Sequence, residues 1–143
     1  MQQHVDAGLD AYWGATLAEE TGLARPPFSP AVVTSGRTVY VSGQTYPVIG
    51  SDAPADPATI GIGEQTRACL ENLGAVVRAA GGTIEDIVKV TIFNTAMTEQ
   101  GAVNEVYLAF FGDHRPARSH VEVSRLADPR LKIEIEAVAV LDG

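Results

Sequence analysis

The segment at residues 131–141 constrains the fold most strongly, because its alternation is typical of a β-strand that is apolar on both faces. The apolar residues on its first face are Leu131, Ile133, Ile135, Ala137 and Ala139. Val138 and Val140 point to the opposite face. A strand of this kind is normally covered on both sides, so we expect helices on one face of a sheet and a second cover on the other.

Two segments show the spacing of amphipathic helices. The first begins near Gly63 and ends at Gly81-Gly82; its apolar residues are Cys69, Leu70, Leu73, Val76, Val77 and Ala80. The second begins near Thr98 and ends at Gly112; its apolar residues are Val103, Val106, Tyr107 and Phe110. Cys69 lies on the apolar stripe, so we expect it to be a small buried hydrophobe and not a nucleophile.

Strand-type segments flank these helices. A short one begins at Ala31, and others lie at 38–42, 87–94 and 117–124. Residues 45–62 hold prolines, glycines and aspartates without regular spacing, which predicts a long loop. The order strand, strand, helix, strand, helix, strand, strand predicts an α+β fold with both helices on one face of a mixed sheet. No third helix is available to cover the other face of the sheet. We therefore favour self-association through this face; the alternative is that its valines are exposed to solvent.

Length and charge restrict the class of protein. The 143 residues suffice for one domain with its own core. With 45% hydrophobic residues, 20% charged residues and a mean hydropathy of +0.07, the composition is too apolar for a disordered acidic tail and too interrupted by polar residues for a membrane span. Ten Lys and Arg against 18 Asp and Glu give a net charge of −8, which argues against nucleic-acid binding. One cysteine and no signal peptide favour the cytoplasm.

Residues 1–27 end in Arg25-Pro26-Pro27 and are interpreted as an N-terminal extension of a domain spanning 28–143.

The strand at 117–124 carries three ionisable residues on one face: Arg118, His120 and Glu122. Ser119, Val121 and Val123 alternate with them and are expected to face the core. If this strand forms a hairpin with 131–141, the ionisable residues pair with Lys132, Glu134 and Glu136 in one of two registers.

Arginines are also concentrated in this region. Residues 115–132 hold five of the ten basic residues against two acidic ones, a local charge of +3 in an acidic protein. An arginine can grip a small carboxylate through two parallel hydrogen bonds. A salt-bridged exposed hairpin explains the same pattern, so periodicity alone leaves the function open.

A series of short motifs resembles one known family. The principal ones are PARS at 116–119, VEV at 121–123 and IEIEA at 133–137. Supporting motifs are VSGQ at 41–44, EQTR at 64–67, LENL at 70–73, VKVT at 88–91 and VNEVY at 103–107. From about residue 27 to the C-terminus the chain is similar to the reactive intermediate/imine deaminase (Rid) family, formerly called YjgF.

The resemblance implies a chorismate-mutase-like α+β fold assembled as a homotrimer, with sites between subunits. It implies hydrolysis of small enamine and imine intermediates, such as 2-aminoacrylate and 2-iminopropionate, to a 2-keto acid and ammonia. The family uses no metal or organic cofactor. A trimer would account for the second apolar face of the sheet.

The resemblance also assigns residues. Arg118 occupies the carboxylate-binding position, and Glu134 the position that orients the attacking water. Ser42 and Asn104 match cleft-lining positions. Phe28 stands where a tyrosine is common in the best-known deaminases.

His120 stands where those deaminases often have a cysteine. Both replacements alter the polar lining beside the arginine. His120 is either an acid or base near neutrality or a hydrogen-bonded spacer. The alternative function is therefore a non-catalytic protein that binds small carboxylates on the same scaffold. Ribonuclease activity, attributed to some relatives, is disfavoured by the charge of −8.

Overall fold

A four-stranded mixed sheet forms the centre of the computed structural model, which describes residues 1–142. In chain order the elements are β1 (Gln2–Val5), α1 (Leu9–Thr16), α2 (Ala18–Thr21), β2 (Ala31–Thr34), β3 (Arg37–Gln44), α3 (Ile62–Ala79), β4 (Ile87–Asn94), α4 (Gln100–Phe111), β5 (Ala117–Glu122) and β6 (Ile133–Leu141). The order across the central sheet is β3-β6-β4-β5, and β1 pairs with β2 in a separate antiparallel sheet.

Helices α3 and α4 cover one face of the central sheet, as the apolar spacing predicts. Leu70, Leu73, Val103 and Tyr107 are fully buried against the core residues of β4 and β6. Gly81, at a φ of +99°, follows the end of α3 in a conformation that favours glycine. Cys69 is buried in this core, and burial raises the pKa of its thiol to about 12. Within residues 1–142 no helix is long and apolar enough to cross a membrane.

The predicted hairpin between the last two strands is wrong. β4 lies between β5 and β6, parallel to the former and antiparallel to the latter. The expected pairs with Lys132, Glu134 and Glu136 are therefore not formed. Sequential strands joined by a short loop often pair, but here α4 connects β4 to a parallel neighbour, β5, so β5 lies on the edge of β4 away from β6.

The expected orientation of β5 is also wrong. Arg118 lies opposite Val90, and His120 opposite Ile92, so these polar side chains face the helical layer. Val121, predicted to be in the core, is 41% exposed on the other face. β5 is an edge strand, and the space between it and α4 is a cavity instead of a packed core, which is why polar side chains occupy its inner face.

Within the described residues, no helix lies on the face of the sheet opposite α3 and α4. Tyr40 on β3 is 81% exposed there, and Phe93 and Val138 are partly exposed. Self-association through this face remains a prediction.

The first 27 residues are folded against the domain. β1 runs antiparallel to β2, with Gln2 opposite Thr34 and Val5 opposite Ala31. Trp13 of α1 is buried, and its indole Nε1 donates to the carbonyl oxygen of Leu23 at 2.9 Å.

The loop at 45–62 contains a single turn of 3-10 helix at Pro57–Thr59 and is held by a side chain of α3. The buried Asn72 donates from Nδ2 to the carbonyl oxygens of Thr45 and Pro47, and its Oδ1 accepts from the backbone N–H of Ile49. One amide therefore satisfies three backbone groups and anchors the start of the loop to the core.

Candidate active site

Arg118 lies on the inner face of β5, with its guanidinium stacked on an aromatic ring. Its Cζ is 4.7 Å from the centroid of Tyr107, a fully buried residue of α4. Its Nη1 donates to Oδ1 of Asn104 at 2.9 Å, and Asn104 lies one helical turn before Tyr107 on α4. Within residues 1–142 this is the one side-chain hydrogen bond of Arg118, and it forms no ion pair there. The Nε and Nη2 groups are thus free for a ligand.

This guanidinium is charged at neutral pH although its surroundings lower its pKa. Burial lowers the pKa of Arg118, Tyr107 offsets part of that change, and the charge of Arg115 adds to the lowering. The usual pKa of an arginine is so high that the group remains protonated at neutral pH. A half-buried positive charge without a carboxylate neighbour is a site for a small anion.

Arg118 opens into a cavity of about 510 Å³. Three more of the predicted site residues line the same cavity: Phe28, Asn104 and His120. The structure thus brings together four of the six residues assigned from the sequence. Their common location is the groove between β5, α4 and the N-terminal segment.

His120 is held in its neutral form. Asn94 Oδ1 accepts from the backbone N–H of Ala96, so the amide group of Asn94 points its Nδ2 donor at His120 Nε2, 3.1 Å away. That nitrogen must accept, which places the proton on Nδ1. Burial, and then the charge of Arg118, lower the pKa of His120 to about 4. Asn94, fully buried, was not singled out from the sequence.

Glu134 and Ser42 do not line this cavity, and Glu134 lies on the opposite face of the sheet. Glu134 lies opposite Phe93 and alternates with the fully buried Ile133 and Ile135. Its carboxylate rests against Gly43, where an added Cβ would stand 2.2 Å from Glu134 Oε2.

A β-bulge in β3 creates this contact. Val41 pairs with Ala137, and the next residues to pair are Gln44 and Ile135. Ser42 and Gly43 together therefore oppose a single residue of β6, Glu136. Bulges re-aim side chains and recur beside active sites. Gly43 leaves room for a carboxylate that any larger side chain would displace.

The basic zone expected around Arg118 is smaller than the sequence suggests. Arg130 forms ion pairs with Asp128 at 2.8 Å and with Asp56 at 3.3 Å, so it is not available to a ligand. No group of three or more His, Cys, Asp or Glu side chains within the described chain is arranged to hold a metal ion.

The cavity also has walls that sequence reasoning missed. Trp13, Leu17 and Leu23, all from the first 27 residues, line the same cavity as Arg118 and Asn104. Trp13 is buried, with its ring edge-to-face on Phe28 and 6.1 Å between the ring centroids. No spacing in the sequence linked these residues to Arg118, because their proximity depends on the path of the chain after β1.

Comparison with known proteins decides the family. The model of the family described as Endoribonuclease L-PSP matches residues 20–141. The chain belongs to this family, which is also called YjgF. One relative is the Salmonella typhimurium protein named 2-iminobutanoate/2-iminopropanoate deaminase, which is 44% identical to this chain over 115 residues. The matched region covers 76% of this chain and 83% of that protein.

Solved structures of YjgF family members share the fold. Escherichia coli TdcF with bound serine is 40% identical, with a TM-score of 0.63, over 82% of this chain and 90% of that one. A Mycobacterium tuberculosis member of the YjgF/YER057c/UK114 family is 31% identical, with a TM-score of 0.62, over 99% of this chain and 100% of that one. The matched region of the family model begins after α1, whereas the mycobacterial protein matches the N-terminal segment as well.

Proposed function

We propose that this chain hydrolyses the imines of small 2-amino acids to 2-oxo acids and ammonia. The observation that carries the proposal is Arg118: a half-buried guanidinium, with no carboxylate partner in residues 1–142, at the end of a cavity. Relatives named 2-iminobutanoate/2-iminopropanoate deaminase, at 38–44% identity, support the reaction class.

Arg118 binds the substrate carboxylate. Its Nε and Nη2 groups donate two parallel hydrogen bonds to the two carboxylate oxygens, while Nη1 stays with Asn104. Asn104 and the ring of Tyr107 hold the guanidinium in place, so the imine carbon is positioned before water attacks. Phe28 and His120 line the cavity beside the bound acid.

Glu134 orients the attacking water. The carboxylate accepts one proton of the water while the water oxygen forms a bond to the imine carbon. The π-electron pair of the C=N bond moves to the nitrogen, which takes up a proton. The resulting carbinolamine loses ammonia as its hydroxyl becomes the carbonyl of the 2-oxo acid. One water is consumed and one ammonia released. Hydrolysis transfers no electrons and no group to a carrier, so we assign no metal or organic cofactor.

Two copies of the chain are needed for this site. Arg118 lies on the helical face of the sheet, and Glu134 lies on the open face, against the bulge of β3 that contains Ser42 and Gly43. We propose a homotrimer in which the open face of one protomer places Glu134 and Ser42 next to the Arg118 cavity of its neighbour. The exposed Tyr40, Phe93 and Val138 would then be covered.

The partners follow from charge and size. The net charge of −8 disfavours binding to nucleic acid. The cavity suits a small carboxylate. We expect the protein to act in the cytoplasm.

Turnover of an imine separates this enzyme from a binding protein. An amino-acid oxidase generates the imine in situ, and semicarbazide traps what remains; loss of trapped imine measures the deaminase. We expect the parent to lower the trapped product and Arg118→Ala to abolish this effect. Tight binding of a 2-oxo acid without any turnover would instead identify a non-catalytic carboxylate-binding protein.

A further inference from the structure

Two parts of the chain line the cavity beside Arg118. Arg118, Asn104 and His120 come from β5 and α4. Trp13, Leu17 and Leu23 come from the N-terminal segment and present indole and aliphatic surface to the same space. Glu20, Thr21 and Gln100 also line the cavity but are exposed, which places them at its rim.

The N-terminal segment is anchored on both sides of α1 and α2, so this wall is built and not a loose tail. Before it, β1 is paired with β2 along four residues. Within it, Trp13 is only 9% exposed and packs edge-to-face on Phe28. The hydrogen bond from Trp13 Nε1 to the carbonyl oxygen of Leu23 closes the segment on itself. A wall held in this way shapes the cavity in the absence of a ligand.

The size of the cavity exceeds what the smallest substrates require. At about 510 Å³ it lies within the range of pockets that hold drug-sized ligands, whereas a three-carbon imino acid fills only a fraction of that volume. A carboxylate bound by Arg118 leaves the rest of the substrate in the remaining space of the cavity, whose lining includes Leu17 and Trp13. A branched or aromatic substrate side chain buries much of that apolar surface, whereas the single methyl group of a three-carbon imino acid buries little of it.

We propose that the N-terminal segment is a specificity element, in which Trp13 and Leu17 select 2-imino acids that carry a branched aliphatic or aromatic side chain. The inference rests on the proposed deaminase function, because it assumes that Arg118 holds the substrate carboxylate. Leu17 and Trp13 are specificity-determining residues and take no part in the chemical step.

The first test compares substrates that differ only in the side chain. Imines are generated in situ from leucine, phenylalanine and alanine, and deaminase activity is measured by semicarbazide trapping. We expect the parent to have a kcat/KM at least about tenfold higher for the leucine-derived imine than for the alanine-derived one, the discrimination that apolar pockets commonly give. A parent that prefers the alanine-derived imine would overturn the proposal.

Leu17→Ala is the decisive variant, because Leu17 is only partly buried and its loss is not expected to unfold the domain. Its kcat/KM should fall about tenfold for the leucine-derived imine and less than twofold for the alanine-derived one. Tyr12→Ala is the control: Tyr12 lies on α1, which ends at the residue before Leu17, is 58% exposed and does not line the cavity, so kcat/KM should be unchanged for both substrates. Equal losses for both substrates in Leu17→Ala would contradict a role in selection.

Measuring the binding of 2-oxo acids tests the specificity element independently of the proposed catalysis. Calorimetry with 4-methyl-2-oxopentanoate and with pyruvate measures the same selection in a protein that does not turn over imines. Tighter binding of the branched acid, reduced about tenfold by Leu17→Ala while pyruvate binding is unchanged, supports the specificity element even if no deaminase activity is found. Equal affinity for both acids in the parent would overturn it.

Discussion

Arg118 and Glu134 lie on opposite faces of the same sheet. Arg118 pairs with Val90 and faces the helices; Glu134 pairs with Phe93 and faces away from them. No rotation of side chains brings the two groups together in one protomer, because the backbone of the sheet separates them. A site that uses both must combine one protomer's Arg118 with a neighbour's Glu134.

Mixing two inactive variants tests this arrangement. We expect Arg118→Ala and Glu134→Ala to be inactive alone and to recover activity when unfolded together and refolded as mixed trimers. In a cyclic trimer assembled at random from equal amounts, about a quarter of the sites hold an intact pair from two protomers.

The control is each variant refolded alone, and light scattering gives the mass of every sample. A mixture that stays inactive while forming trimers would show that the site does not combine these two residues from neighbouring subunits. A mass near 15.1 kDa, that of one chain, would remove the shared site altogether.

Asn104→Asp should disable the carboxylate site without removing Arg118. The new carboxylate would form an ion pair with the guanidinium that Asn104 now contacts at 2.9 Å, so it would compete with the substrate. We expect KM to rise roughly 10–100-fold, corresponding to a charge-assisted hydrogen bond of about 1.5–3 kcal/mol. Steady-state kinetics measures the change. Ala102→Asp adds the same charge at an exposed position of α4 and should leave KM unchanged.

Gly43→Ala should displace the carboxylate of Glu134. The added Cβ would stand 2.2 Å from Oε2, and the flexible side chain of Glu134 would move instead of the backbone. Because small displacements of a catalytic group are costly, we expect kcat/KM to fall up to about 100-fold. Urea denaturation should show a free energy of unfolding within about 0.5 kcal/mol of the parent. Gly14→Ala, where nothing lies within 4 Å of the new methyl group, should retain full activity.

His120 should make the protein less stable in mild acid. Its pKa is about 4 in the folded chain, against about 6.5 when unfolded, so between these values the unfolded chain binds the additional proton. The free energy of unfolding therefore falls as pH decreases from 6.5 toward 4. Because His120 is only partly buried, we expect a loss of about 1 kcal/mol at pH 5 relative to pH 7.5.

His120→Gln should abolish that part of the acid sensitivity, since glutamine can still accept from Asn94 but does not titrate. Urea denaturation of both proteins at the two pH values measures the difference. An equal loss of stability in parent and variant would show that His120 is not the group responsible. The neutral imidazole also means that His120 does not titrate between pH 6 and 8, so kcat/KM should show no His120-dependent inflection there.

The local elements were largely predictable from the sequence. The spacing of apolar residues located α3 and α4 to within a few residues, and alternation located β4 and β6. These signals depend on neighbours within one or two turns, so they survive without knowledge of the rest of the chain. The motifs around Arg118 and Glu134 likewise identified the family before any coordinates.

The pairing and orientation of β5 were not predictable. Alternation shows that Arg118 and Val121 lie on different faces, but not which face meets the helices. Hydrophobicity favoured Val121, and the structure turned Arg118 inward because its guanidinium stacks on Tyr107 and bonds to Asn104.

The sequence by itself therefore determined the secondary structure, the family and the identity of the residues proposed to act. Only the tertiary structure decided that β4 separates β5 from β6, that Arg118 and Glu134 face apart, and that Trp13 and Leu17 close the Arg118 cavity. The reason is the range of the interactions. Helix and strand periodicity reports contacts between near neighbours, whereas strand order and cavity walls depend on segments that are far apart in the chain and meet only when the whole core is packed.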